Sequence, residues 1–442
     1  MKTIKPNALG LLPICVFIFL IGCTGIITGS FTNMPILLAF MISAGVALYL
    51  NPKGEKLTIT EKIDLFCKEA GEMTIILLVV IFLLAGAFYA VAGAIGAVDS
   101  TVSLGLHLIP RDYLLVGLFL IGCFISFSIG TSMGTIIALA PIGISISTQT
   151  GIPVELAMAT VIGGGMFGDN LSFISDTTIA AVRTQNTEMR DKFKVNFIIV
   201  IPAMIITCIL ITWLSGMSET TSIDAGSYEL ILLLPYATVI VTALLGINVI
   251  AVLVFGIIVG GVIGIFRGSF DILGLFAKIQ EGMGWMEDLA IIAIIIGGIV
   301  GLMNRYGGIQ WLLENITRRV KTRRGAEFGV ASLVSVIDVA TANNTISIVA
   351  AGPIAKRLAD EYDIDPRRTA SILDIFSSGF QGLVPYGGQY LAAAGLASIS
   401  PVSIIPYAFY PFLILVMGVL AIVFGIPPFA SKGVRKLVKE TV

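Results

Sequence analysis

The sequence contains one histidine, His107, so a histidine proton relay or a zinc site has no material to be built from. The five cysteines (Cys15, Cys23, Cys67, Cys123 and Cys208) lie mostly inside apolar runs with no CxxC spacing, which excludes a disulfide or metal framework. They read as small buried hydrophobes. Charge is scarce too: 12% of residues are Asp, Glu, Lys or Arg and the net charge is -1, so no basic field calls for nucleic acid. No Ser/His pair or metal motif supports an enzyme, and no cofactor is called for.

What the chain has is apolar length. Of its 442 residues 56% are hydrophobic and the mean hydropathy is +0.98, with repeated runs near the ~20 residues that cross a bilayer. This is an all-α polytopic membrane protein. Lys2 and Lys5 precede a long apolar run with no evident cleavage site, which reads as a retained first helix.

The chain is also two copies of one plan. Gly86, Gly96, Pro141, Ile152 and Leu171 recur as Gly298, Gly308, Pro353, Ile364 and Leu383, each pair separated by 212 positions. The repeats are 1–226 and 227–442, each with outer helices (1–95 and 227–305) and a polar-interrupted part (112–215 and 325–426). Each polar-interrupted part opens with an apolar hairpin, interrupted at Gly130–Thr135 in one half and Ala340–Thr345 in the other, and continues with a helix broken by a Gly-rich polar stretch. A hairpin adds an even number of crossings and the other helices make five, so the two repeats are expected to be inverted in the membrane. A cytoplasmic N-terminus puts inside the clusters around Lys53–Lys68, Arg183–Lys194, Arg318–Arg324 and Lys356–Arg368 and the tail Lys432–Lys439. Only Arg111, Arg267 and Lys278 fall outside.

The segment GDNLSFISDTT, Gly168–Thr178, packs two carboxylates, an amide and four hydroxyls into membrane-hydrophobic surroundings. Intramembrane carboxylates mark ion or substrate paths, and polar backbone at that depth lines a cavity. Asp169, Asn170, Ser172, Ser175, Asp176 and Thr177 are hard oxygen donors suited to Na⁺ or a proton, and Gly163, Gly164, Gly165 and Gly168 are expected to ease unwinding. The alternative reading is that Asp176 or Ser175 caps the resuming helix. The hairpin tips offer Thr131 and Ser132 in one half and Asn343, Asn344 and Thr345 in the other, neutral groups for a substrate or for helix–helix hydrogen bonds. In the second broken helix Asp169 and Asp176 are replaced by Gln381 and Gly388, so the acids come from one repeat; Tyr386 is a further substrate-site candidate, and Asp338 and Asp374 are secondary titrating candidates. No Arg or Lys falls mid-span; Arg183 and Arg305 lie near helix ends and can snorkel. That favours a cationic or zwitterionic cargo.

At GDNLSFISDTT, with GTSMGT upstream and the duplicated plan, the chain resembles the NhaC-type Na⁺/H⁺ antiporter family over nearly its whole length. The resemblance implies Na⁺ and H⁺ binding at Asp169 and Asp176 with Ser172, Ser175, Thr177 and Thr178 around them, and an elevator-like motion. The expected location is the cell (inner) membrane, and the placement of the basic clusters puts both termini on the cytoplasmic side. Phe173 stands where the family often has proline. Partners implied are the lipid bilayer, the two ions and a homodimer mate; the alternative is a Na⁺- or H⁺-coupled amino-acid or organic-acid carrier. A channel is disfavoured by the pseudo-symmetry.

Overall fold

The computed structural model describes residues 5–28, 33–51, 57–108, 110–173, 175–217, 227–245, 247–317 and 321–428. Every regular element among them is a helix. The first half contains α1 (Leu12–Thr28), α2 (Ile36–Tyr49), α3 (Ile59–Ala70), α4 (Met73–Ala94) and α5 (Ala97–Leu108). It continues with α6 (Leu114–Ile129), α7 (Ser132–Thr150), α8 (Val154–Leu171), α9 (Asp176–Gln185) and α10 (Met189–Met217). The second half contains α11 (Leu234–Leu244), α12 (Val249–Arg267), α13 (Ile272–Gly284), α14 (Glu287–Arg305) and α15 (Gly308–Thr317). It ends with α16 (Arg323–Thr341), α17 (Asn344–Glu361), α18 (Pro366–Gln381), α19 (Gly388–Ala397), α20 (Pro401–Ile404) and α21 (Phe409–Phe424).

The offset of 212 seen in single residues holds for whole elements. α9 shifted by 212 coincides with α19 at both ends, and α7 and α17 begin at equivalent positions, 132 and 344. Packing is exchanged between the halves in the same way: α3 lies on α14 while α13 lies on α4, and α9 lies on α17 while α19 lies on α7. Reciprocal contacts of this kind are what a pseudo-two-fold relation produces. At the α4–α13 crossing Gly86 and Gly282 meet backbone to backbone, where a Cβ on either would come within 2.2 Å of the other's carbonyl oxygen. Small residues give such membrane crossings their close approach.

Among the described residues six helices are long and apolar enough to cross a membrane: Ala8–Thr28, Ile75–Ala94, Ser132–Thr150, Met189–Met217, Val249–Arg267 and Glu287–Arg305. α19 and the segment Pro401–Tyr407 form a further apolar pair bent by 100°. Outward-facing apolar side chains on α1, α10 and α12, among them Ile26, Ile27, Ile209, Trp213 and Phe266, are exposed and suit contact with lipid. The polar face of the amphipathic α3 begins with a capping box, in which Thr58 and Glu61 each satisfy the other's backbone N–H.

Both hairpins turn where expected. The α6–α7 turn is made at Gly130 (φ 77°) and the α16–α17 turn at Ala342 (φ 51°), equivalent positions in the left-handed region. Glycine is at ease there and alanine is strained. The glycines of the first broken helix behave differently from the expectation. Gly163, Gly164, Gly165 and Gly168 all lie inside the continuous helix α8, and the break starts only at Ser172. They serve packing: a Cβ on Gly168 would sit 2.4 Å from the Phe127 N, and one on Gly164 2.7 Å from the Phe119 O, so α6 and α8 touch along their backbones. Several basic positions used for the topology, including Lys53, Lys56, Arg318, Arg319 and the tail Lys432–Lys439, lie outside the described residues.

Candidate functional site

The site grows from the end of α8. A helix leaves its last carbonyls without intrahelical partners, and the chain break after Leu171 exposes that of Asn170 among buried neighbours. Phe173, in the break, stacks on Phe193 of α10 with ring centroids 4.8 Å apart and pins the break against that helix. The same contact brings the first turns of α10 beneath the open end of α8. Lys192 and Asn196, one helical turn apart, present buried side chains there.

The Lys192 ammonium donates to the Asn170 carbonyl at 2.5 Å and to the Thr178 hydroxyl at 2.7 Å, and forms an ion pair with Asp374 of α18. Asp374 is fully buried, and its Oδ2 also accepts from the Asn170 and Asn196 amides, each at 2.9 Å. Asn196 reaches the Asn170 Oδ1 at 3.0 Å as well. A cation at a helix C-terminus is electrostatically favoured, and a buried charge persists only when paired and hydrogen-bonded. Lys192 meets both conditions.

Asp169, the preceding residue, faces the other way. Its Oδ1 accepts from the Ser175 hydroxyl at 2.5 Å and its Oδ2 from the Ser132 hydroxyl at 3.1 Å. Ser132 opens α7, so a hairpin tip is drawn onto the broken helix. Ser175 is 2.8 Å from the Thr177 hydroxyl, and the next residue, Thr178, accepts from the same Lys192 ammonium that pairs with Asp374. On the far side Gln389 of α19 donates to Ser132 at 3.2 Å and accepts from Gln381 at 2.6 Å, and Gln381 donates to the Ala342 carbonyl at the second hairpin turn at 3.2 Å. One hydrogen-bonded chain thus runs from Thr177 through Ser175, Asp169, Ser132, Gln389 and Gln381 to Ala342, and Asn170, next to Asp169 in sequence, bonds to the Asp374 that pairs with Lys192. It links both broken helices and both hairpins.

An oxygen-rich cluster around one carboxylate, at helix breaks in a membrane chain, is the setting of an ion carrier. Comparison with known proteins agrees: residues 7–216 and 225–427 match the Na⁺/H⁺ antiporter family. The chain belongs to that family. Antiporters are transporters and not enzymes. It is 26% identical over 385 residues to the Na⁺/H⁺ antiporter NhaC of Alkalihalophilus pseudofirmus, covering 78% of this chain and 82% of that one. It is 23% identical over 427 residues to the malate-2H⁺/Na⁺-lactate antiporter of Bacillus subtilis, covering 89% and 90%. The arginine/ornithine antiporter ArcD of Halobacterium salinarum is 25% identical over 333 residues, 66% of this chain and 68% of its own.

In this antiporter-family chain the structure separates residues that the sequence grouped together. Asp169, Asn170, Ser175 and Thr177 are buried and joined to one another, and Ser172 is buried beside them. Asp176 is not brought in: it is the first residue of α9 and is exposed. Among the substrate-site candidates, Ser132 and Gln381 enter the network. Asn343 caps α17 by accepting from the Ile346 N–H at 2.9 Å, Asn344 accepts from the Thr345 N–H at 3.0 Å, and Tyr386 donates to the Val339 carbonyl at 2.5 Å. Thr131 is the residue before α7 and makes no side-chain cap. Asp338 is fully buried in α16, with the Ser347 hydroxyl 3.4 Å from Oδ1.

Two expectations are corrected. Lys192, grouped by its neighbours with a basic cluster at a helix end, is a buried, paired cation inside the candidate site, in the first turn of α10. The acids do not come from one repeat only, because Asp374 of the second half shares the cluster. Gln389, Lys192 and Asn196 were missed. The one available signal was the polar pair Lys192 and Asn196, four apart at the mouth of an otherwise apolar helix, which puts both on one face.

Proposed function

We propose that this protein exchanges Na⁺ for H⁺ across the cell membrane, with Asp169 as the carboxylate that holds either ion in turn. The observation that carries the reading is the contrast between two buried acids. Asp374 already has a cation, whereas the hydrogen-bond partners of Asp169 are the hydroxyls of Ser132 and Ser175. Hydroxyl oxygens can turn from donating to a carboxylate to coordinating a metal cation, because the same atom has two lone pairs. Na⁺ and a proton therefore compete for one site, with Ser132, Ser175 and Thr177 completing the oxygen set. Lys192 adds no free positive charge for an anionic cargo, since it is matched by Asp374.

The residues in the network belong to α7, α8, α9, α10, α18 and α19 and so fall in the transport parts 112–215 and 325–426, which on this reading move together against the scaffold helices in an elevator-like step. Both termini are cytoplasmic and the two repeats are inverted in the membrane. Exchange is tested in proteoliposomes by Na⁺-driven dequenching of a trapped pH dye. Lowering the pH protonates more of Asp169, so the apparent KM for Na⁺ rises as pH falls while the maximal rate at saturating Na⁺ is retained. A KM independent of pH, or uptake of a labelled amino or organic acid with no proton movement, would replace this reading.

A further inference from the structure

The position of the Lys192 ammonium is itself a cation site. Its three protons meet three oxygens from three elements: the open carbonyl of Asn170 on α8, the hydroxyl of Thr178 on α9 and the Asp374 carboxylate on α18. All four residues are at most 1% exposed. A carboxylate, a hydroxyl and a helix-terminal carbonyl form the kind of hard oxygen set that takes an alkali cation, and α8's C-terminal dipole adds to it. Nothing in the pseudo-symmetry calls for this pair. The equivalents of Lys192 and Asp374 in the other halves are Ile404 and Ile162, both apolar (404 − 192 and 374 − 162 are both 212). The acid and the lysine each lack a charged counterpart in the other half, and they lie on opposite sides of one contact between α10 and α18.

We propose that Lys192 is a tethered cation occupying what is otherwise a second Na⁺ site, so that the chain binds one Na⁺, at Asp169, and not two. The inference rests on the Asp169 reading and adds a count to it. Every group of the cage lies in the parts assigned to the moving body, so the ammonium travels with the site and is never released. With Lys192 removed, Asp374 keeps its amide donors from Asn170 and Asn196 and the two other cage oxygens lose their cation. The vacated space then accepts a mobile monovalent ion.

The test is the number of ²²Na⁺ ions bound per chain by equilibrium dialysis of the purified full-length protein at fixed alkaline pH. Wild type is expected to bind one, Lys192→Met two, and Lys192→Met/Asp374→Asn one again. Methylammonium, a free ammonium of matching charge, should displace one of the two ions from Lys192→Met and leave the wild-type count unchanged. Lys192→Gln and Lys192→Arg stand in should the Met variant not fold, with two ions expected for Gln and one for Arg. A single Na⁺ in folded Lys192→Met and Lys192→Gln, or two in the wild type, would overturn the proposal. Failure of the underlying reading shows separately, as wild-type Na⁺ binding that survives Asp169→Asn.

Discussion

Asp169→Asn is the sharpest perturbation of the site. The amide keeps the size of the carboxyl and one acceptor oxygen, while its NH₂ can donate to whichever of the Ser132 and Ser175 hydroxyls it faces, since a hydroxyl also accepts. The structural cost is therefore about one exchanged hydrogen bond, roughly 1 kcal/mol. The electrostatic loss is much larger. A monovalent cation about 2.5 Å from a carboxylate gains on the order of 7 kcal/mol at an effective dielectric constant of about 20. Dehydration of the ion offsets most of this, and retaining even ~2 kcal/mol corresponds to about thirty-fold in Na⁺ affinity. The asparagine also has no proton to exchange. Na⁺-driven dye dequenching in proteoliposomes should therefore fall to background, while the detergent-solubilised variant elutes as a single monodisperse species. Exchange at the wild-type rate with unchanged KM for Na⁺ would refute the reasoning, because no other carboxylate in the network lacks a fixed cation.

Asp176→Asn, at an exposed position in the first turn of α9, should retain exchange with at most a several-fold weaker apparent Na⁺ affinity, measured in the same liposomes; complete loss would move the titrating role to Asp176. Gly168→Ala forces a Cβ to within 2.5 Å of the Cys123 O and the Phe127 N, and should cost about 3 kcal/mol or more, read as a lost or strongly lowered thermal transition. Gly22→Ala, with nothing within 4 Å of the new methyl, is its silent control. Ala342→Gly relieves a left-handed alanine at φ 51° and should raise thermal stability by about 1 kcal/mol without loss of exchange.

The membrane class and the duplication were legible in the linear chain, and so was the segment that the proposed function places at its centre. Apolar run length reports on the bilayer, and a constant offset of 212 reports on the repeat, with neither requiring any knowledge of what touches what. The site was legible as a neighbourhood and not as a wiring diagram. Asp169 and Asp176 look alike in sequence, yet a chain break lies between them, so helical phase is not carried across and only the fold decides that one is buried and the other exposed. The glycines before Asp169 suggested a flexible stretch; their meaning as a packing face appears only when α6 lies against α8. Lys192 and Asp374 are separated by 182 positions, and no local pattern announces that an ammonium from a helix end will fill the oxygen cage at a break in another (374 − 192). Periodicity and composition are properties of one segment with its solvent. A charge pair belongs to two segments and the angle at which they cross, and that angle is settled by the close packing of all the helices at once.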